Sequence, residues 1–284
     1  VMTSSYNCDM GSKADELLHE RYGHSAIYVD GSMDSRWGEY PDYLPQRVEF
    51  LGAQLNKLFD AFKEVLGVEI TQDILREAGS VSAELYRRLG RLSEVMKAEP
   101  TPVSAAEREL AMWLFNGATT WPRTEGAQAM DILNQEVKER VDKGIGIVEK
   151  GAPRVMTLYE NYSDASVTRM IENAGLAIVA SVWGPPPKAK SKVVYATLGE
   201  EMAAREMRLG AYHSNFGVAK RCELSIEYSN IDGVIFNYIF NCRPLAQTSH
   251  IVKKWIDENV GVPFLSLEND IYDTRSYSPA ALRT

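Results

Sequence analysis

Asp232-Gly233-Val234-Ile235-Phe236-Asn237-Tyr238-Ile239-Phe240-Asn241-Cys242-Arg243-Pro244 is the stretch that decides the fold. Residues 233–238 are mostly apolar and do not alternate. That pattern reads as a strand covered on both faces, as in a parallel sheet. A short loop, Ile239-Phe240-Asn241-Cys242-Arg243, follows, and a helical period then runs over Leu245–Glu258. A strand that passes through a short loop into a helix is half of a βα unit.

Further units lie on either side. Strands are predicted at Arg154–Tyr159, Leu176–Val182 and Pro263–Leu267, and helices at Ser163–Ala174, Leu198–Met207 and Phe216–Tyr228. Residues 151–284 therefore read as a doubly wound α/β domain. Upstream, residues 43–150 carry a helical period: Val48, Leu51, Leu55, Leu58, Phe59 and Phe62 recur at spacings of three and four. Gly67 ends that helix and Thr71-Gln72-Asp73 opens the next. Residues 1–42 read as the closing part of another α/β domain: a strand ending near Ser5, a loop at Asn7-Cys8-Asp9, a helix over Ser12–Tyr22 and a buried strand over His24–Asp30. The fold class expected is α/β, with two doubly wound, flavodoxin- or Rossmann-like parallel-sheet domains. The first is only partly present, and a mostly helical segment joins them. Val1-Met2-Thr3-Ser4-Ser5 has no initiator before it, and Leu282-Arg283-Thr284 stops just after a helix start, so the polypeptide is expected to extend both ways.

The composition excludes some functions. The 284 residues carry a net charge of −8, which argues against nucleic-acid binding as a main role, because phosphate contacts need a basic surface. No apolar run approaches the roughly 18 residues that span a bilayer. The N-terminus lacks the basic and apolar regions of a secretory signal. Three cysteines, Cys8, Cys222 and Cys242, are too few for a disulfide scaffold, so a reducing, cytoplasmic setting is expected.

In an open parallel sheet, ligands bind beyond the carboxyl ends of the strands. That rule selects the loops Glu160-Asn161-Tyr162, Trp183-Gly184-Pro185, Ile239–Arg243 and Glu268-Asn269-Asp270. Cys8 and Cys242 both fall at such loop tips. Each is either a thiolate ligand or a small buried hydrophobe. Cys222 lies inside a predicted helix and reads as structural. Lys188, Lys190 and Lys192 are either partners for an anion or a solvated loop. No GxGxxG, GxxxxGK[ST] or GxSxG pattern is present, and the four histidines form no metal-spaced pair.

Several segments, taken in order, carry a resemblance. Asn7-Cys8-Asp9, Tyr22-Gly23 and Ile27-Tyr28-Val29-Asp30 open the chain. Asp232-Gly233-Val234-Ile235-Phe236, Asn241-Cys242-Arg243-Pro244, Gly261-Val262-Pro263-Phe264-Leu265, Glu268-Asn269-Asp270, Asp273-Thr274-Arg275 and Ala281-Leu282-Arg283-Thr284 close it. Together with the helical stretch Tyr43–Gly67, this ordered set resembles subunits of the 2-hydroxyacyl-CoA dehydratase and benzoyl-CoA reductase family. The resemblance implies a [4Fe-4S] cluster held by three cysteines, with Cys8 and Cys242 as two metal ligands and the third upstream of Val1. Cys222 matches no ligand position. Asn237, Tyr238, Asn241, Glu160 and Asn161 are expected near the cluster and substrate from their strand-end positions, and no catalytic residue is assigned.

The resemblance also implies partners: a homologous second subunit, an ATP-dependent iron–sulfur activator protein and an acyl-CoA or aryl-CoA substrate. In dehydratases one low-potential electron makes a ketyl radical on the thioester carbonyl and lets the 2-hydroxyl leave. In benzoyl-CoA reductases the electron enters the aromatic ring. An electron-relay subunit, a double-cubane cluster reductase and a metal-free α/β binding module are the other readings.

Overall fold

A computed structural model describes residues 2–4, 9–31, 40, 42–111, 123–158, 166–181, 193–209, 214–239, 242–270, 273 and 275. Its elements, in order, are β1 (Met2–Ser4), α1 (Asp9–Tyr22), β2 (Ile27–Val29), α2 (Pro45–Leu66), α3 (Gln72–Val95), α4 (described over 105–111) and α5 (Arg123–Asp142). There follow β3 (Arg154–Leu158), α6 (Ser166–Asn173), β4 (Ala177–Ser181), α7 (Leu198–Leu209), α8 (Asn215–Ser229), β5 (Gly233–Ile239), α9 (Arg243–Asn259) and β6 (Phe264–Asn269). The fold is α/β with a parallel sheet.

Local chemistry sets the helix ends. Pro45 fits the first turn of α2, where no amide hydrogen is needed. Gly67 closes that helix at φ 68°, with its N–H on the Lys63 carbonyl. Thr71 caps α3: its hydroxyl accepts the Ile74 amide at 3.3 Å and its carbonyl accepts the Leu75 amide at 3.1 Å. α4 opens on a reciprocal capping box. The Ser104 hydroxyl accepts the Glu107 amide at 3.2 Å, while Glu107 accepts the Ser104 amide at 2.9 Å.

The chain divides into two compact units. The first comprises residues 1–75, 186–222 and 242–255. Its core gathers Val29, Val48, Leu51, Leu58, Ala203, Ala204 and Met207, with Tyr43 at its edge. α2 and α7 approach closely enough that a Cβ on Gly52 would lie 2.8 Å from the Glu200 amide nitrogen. Asn56 on α2 bridges the same contact, accepting the Gly199 amide at 3.0 Å and donating to the Thr197 hydroxyl at 3.2 Å. Elsewhere in this unit the Thr248 hydroxyl donates to Asn215 Oδ1 at 2.6 Å, and Phe216 meets Trp255 edge to face. β1 and β2 pair in parallel, Met2 opposite Ile27. The strand expected over His24–Asp30 is shorter and less buried than its sequence suggested. Only 27–29 are extended, and Tyr28 is 40% exposed. Among the described residues this sheet has two strands, too few to enclose a face.

The second unit comprises residues 76–185, 223–241 and 256–284. It holds the four-stranded sheet, in the order β4-β3-β5-β6, with every neighbour parallel. β3 is buried along its whole length. Its start is clamped to the start of β5. The Arg154 amide donates to Asp232 Oδ2 at 2.8 Å, the Asp232 amide returns to the Arg154 carbonyl at 2.7 Å, and Arg154 Nε donates to the Ser229 carbonyl at 3.0 Å. α3 and α5 pack through Leu85 and Met130, and Arg88 binds Asp131 with two hydrogen bonds, of 3.0 and 2.9 Å. The expectation that every strand is covered fails at β6, which among the described residues pairs with β5 alone and leaves Leu265 53% exposed.

Candidate functional site

The strand order places a switch point in the second unit. From β3 the chain crosses through α6 to β4 on one side. It then returns past β3 to β5 on the other side. The connections that leave β3 and β5 therefore run to opposite sides, the strand order at which open α/β sheets take their ligands. Burial supports this placement. β5 is buried from Gly233 to Asn237, and its last two residues, Tyr238 and Ile239, are only half-buried.

Side chains divide between the two faces by the two-residue period of a strand. Val155, Ile178 and Ile235 pack with Ala105 of α4 on one face. Thr157 and Asn237 follow on the same face, two residues nearer the carboxyl ends, and both are fully buried. Arg108, one turn beyond Ala105, is buried above them. Its guanidinium donates to the Ile178 carbonyl at 3.4 Å and to the Thr157 hydroxyl at 3.5 Å. The β3–β4 register shifts at this point, between Val155 and Met156. A buried guanidinium thus lies against a bulged strand pair, and it ties Thr157 near the end of β3 to Ile178 near the start of β4.

The opposite face carries Phe236, which stacks obliquely on Phe264 with centroids 6.0 Å apart, and then Tyr238. Tyr238 lies directly across from Glu268 in the β5–β6 register. Burial, reinforced by the Glu268 carboxylate beside it, raises the Tyr238 pKa above the usual phenol value. The loop expected over Glu268-Asn269-Asp270 is partly strand. The ladder continues to the Ile239–Asn269 pair, which extends both strands beyond their sequence-based ends.

Cys242 stands immediately before α9, three residues after β5. Its carbonyl accepts the Ala246 amide at 3.0 Å, which makes it the N-cap, and it is half-buried. A helix N-terminus favours a thiolate over a thiol, the form that binds soft metals. The division into units groups residues 242–255 with β1, α1 and β2. Cys222, in α8, is fully buried among core residues, as its helical position suggested. Cys8, Asn241, Glu160 and Asn161 lie outside the described residues, as do Lys188, Lys190, Lys192 and His213. Among the described residues no group of three or more His, Cys, Asp or Glu side chains is arranged to hold a metal ion. A thiol at a helix start fits one position of a thiolate ligand set.

Sequence reasoning missed Arg108 and Thr157. A lone arginine on an amphipathic helix reads as solvent-facing, and Thr157 sits in a strand with no polar period. The usable signal was Ser104-x-x-Glu107, which fixes the start of α4 and hence the phase of Arg108.

Comparison with known proteins bears on the whole chain. The family model described as 2-hydroxyglutaryl-CoA dehydratase, D-component, matches residues 1–284. The chain is 21% identical over 247 residues to the (R)-phenyllactyl-CoA dehydratase alpha subunit of Clostridium sporogenes, covering 84% of this chain and 58% of that protein. It is 23% identical over 262 residues to a subunit of the benzoyl-CoA reductase of Thauera aromatica, covering 83% of this chain and 57% of that protein. The chain thus spans little more than half the length of these relatives.

Proposed function

Since the chain belongs to the 2-hydroxyglutaryl-CoA dehydratase D-component family, we propose that it is part of an iron–sulfur subunit of a 2-hydroxyacyl-CoA dehydratase-type enzyme. The observation that carries this reading is the position of Cys242, a half-buried N-cap thiol three residues beyond the strand that borders the switch point.

In this reading Cys242 and Cys8 are the chain's cluster ligands. Both directly precede a helix that follows a strand: Cys242 before Arg243 and Cys8 before Asp9. The bound [4Fe-4S] cluster would supply low-potential one-electron transfer and, at an iron without a protein thiolate, Lewis acidity. The chain's own residues do the rest. Asn237 and Tyr238 lie within the last three residues of β5, and in the sequence Glu160 and Asn161 follow β3 and Asn241 follows β5. Arg108 ties β3 to β4. A site of this kind needs a dry interior, because radicals react with water and oxygen. Leu158 at the end of β3 and Asn237 near the end of β5 are both fully buried.

The finer architecture belongs to the same proposal. Residues 151–284 form a second doubly wound domain, 43–150 the helical connection and 1–42 the end of a first domain. The partners are a homologous second subunit and an ATP-dependent iron–sulfur activator, in the cytoplasm. No helix among the described residues is long and apolar enough to cross a membrane. The other reading, a subunit of an aryl-CoA ring-reducing enzyme, draws on the similarity to the benzoyl-CoA reductase of Thauera aromatica.

Anaerobic purification of the full-length protein tests the proposal. The expected product is brown, with about four iron and four sulfide per subunit. A colourless, iron-free protein that still folds would remove it.

A further inference from the structure

Within the first unit, the helix that Cys242 caps is held against α8 by a buried side-chain hydrogen bond. α9 buries Leu245, Thr248, Ser249 and Val252, a stripe spaced at three and four. From that stripe the Thr248 hydroxyl donates to Asn215 Oδ1 at 2.6 Å, and both residues are buried. Asn215 is the first residue of α8 and is itself well fixed. The Ser214 hydroxyl caps α8 by accepting the Gly217 amide at 2.8 Å, and a Cβ on Gly217 would lie 3.2 Å from the Tyr40 ring. Further along, Phe216 of α8 meets Trp255 of α9 edge to face, with centroids 5.2 Å apart.

The two kinds of contact constrain a helix differently. Leu245 and Val252 bury apolar surface, and that attraction has no direction, so it tolerates small rotations and slides. The hydrogen bond does not, because it weakens steeply with distance and angle. Both its partners are buried, so a broken bond is not replaced by one to water. The bond therefore sets the phase of α9. Thr248 stands six residues after Cys242, about 9 Å along the same helix. Cys242 is tied to the first turn by its carbonyl, which accepts the Ala246 amide at 3.0 Å, so its place follows that of the helix. A metal-binding thiolate has to stand within about 0.5 Å of its productive position.

We propose that Thr248 and Asn215 are positioning residues for the Cys242 thiolate: their hydrogen bond fixes the rotation of α9, and so the direction from which the sulfur meets the cluster. This rests on the iron–sulfur reading above and adds to it two residues that act through the helix. Supports of this kind are worth about 10–100-fold in metal affinity.

Anaerobic iron release from the full-length protein into excess chelator tests this, with the midpoint potential of the cluster as a second readout. Thr248→Val keeps the branched shape and removes the hydroxyl. Thr248→Ser keeps the hydroxyl and removes a methyl group. Thr248→Val is expected to release iron about 10–100-fold faster than wild type. Its potential should also shift, because a turned thiolate changes the hydrogen bonding and solvent exposure of its sulfur. Thr248→Ser should match wild type in both. A packing role gives the opposite order, since serine leaves a cavity and valine does not. A wild-type rate or a wild-type potential in Thr248→Val overturns the positioning role and leaves the iron–sulfur reading standing. So does Thr248→Ser releasing iron as fast as Thr248→Val. If Thr248→Val does not fold, Thr248→Ser decides alone: release at the wild-type rate supports the role, and faster release overturns it. Wild-type protein that folds without iron overturns both.

Discussion

The carbonyl of Cys242 accepts the Ala246 amide at 3.0 Å, so the thiol that follows β5 is also the cap of α9. The two roles can be separated. Serine is a stronger N-cap than cysteine, because its hydroxyl accepts amide hydrogens in the first turn. Cys242→Ser should therefore leave the metal-free protein as stable as wild type, or more stable by about 0.5 kcal/mol. Thermal unfolding of the two apo proteins measures this. A large loss of stability would mean that the thiol is a packing group.

Gly52 and Gly199 let α2 and α7 touch backbone to backbone. Gly52→Ala places a methyl group against the Glu200 backbone with no flexible side chain to give way. It should cost about 1–3 kcal/mol. Gly90 lies in α3 with open space around it, so Gly90→Ala should instead stabilise by up to about 1 kcal/mol. Urea unfolding of the two variants should move in opposite directions.

Glu107 gives a pH dependence with a definite sign. Burial alone would raise its pKa, but hydrogen bonds from the Ser104 amide, Arg140 and the Ser104 hydroxyl outweigh burial and lower it. A carboxylate with a lowered folded-state pKa contributes stability above its unfolded pKa. That contribution disappears as pH falls through the folded value. Stability of wild type should fall on acidification from pH 6 through the carboxylate range. Glu107→Gln should be less stable at pH 6 and should show a shallower acid slope. Parallel slopes for the two proteins would contradict the assignment.

Arg154 is buried where β3 meets β5, with its guanidinium on the Ser229 carbonyl. Arg154→Met keeps the side-chain length and leaves that carbonyl without this donor. The expected cost is about 1–3 kcal/mol. It should appear as faster amide exchange along β3, with α2 and α7 unaffected.

Much of this architecture was legible in the sequence because its strands are hydrophobic runs bounded by turn residues. β3, β4 and β5 lie within a residue or two of where their apolar runs place them. Gly67, Thr71 and Pro45 mark helix ends by chemistry that needs no tertiary context. Edges were less legible. Leu265 looks like a core residue in isolation, and the strand order shows that among the described residues β6 has a neighbour on one side. Arg108 was hidden for the opposite reason. A charged residue on a helix defaults to solvent, and its burial follows from the β3–β4 bulge and Thr157, neither of which leaves a periodic signal. Cys242 was legible as a strand-end thiol. Its capping role, and the pairing of Tyr238 with Glu268, depend on where α9 starts and how β6 aligns.

The most direct test of the central claim is the iron content of three anaerobically purified full-length proteins: wild type, Cys242→Ser and Cys222→Ala. Cys222 is fully buried in α8, so its loss should cost about 1 kcal/mol of packing and leave the metal untouched. Wild type and Cys222→Ala should each hold about four iron per subunit, and Cys242→Ser should lose most of its iron while remaining folded. Full iron in folded Cys242→Ser, or loss of iron in Cys222→Ala alone, would contradict the account.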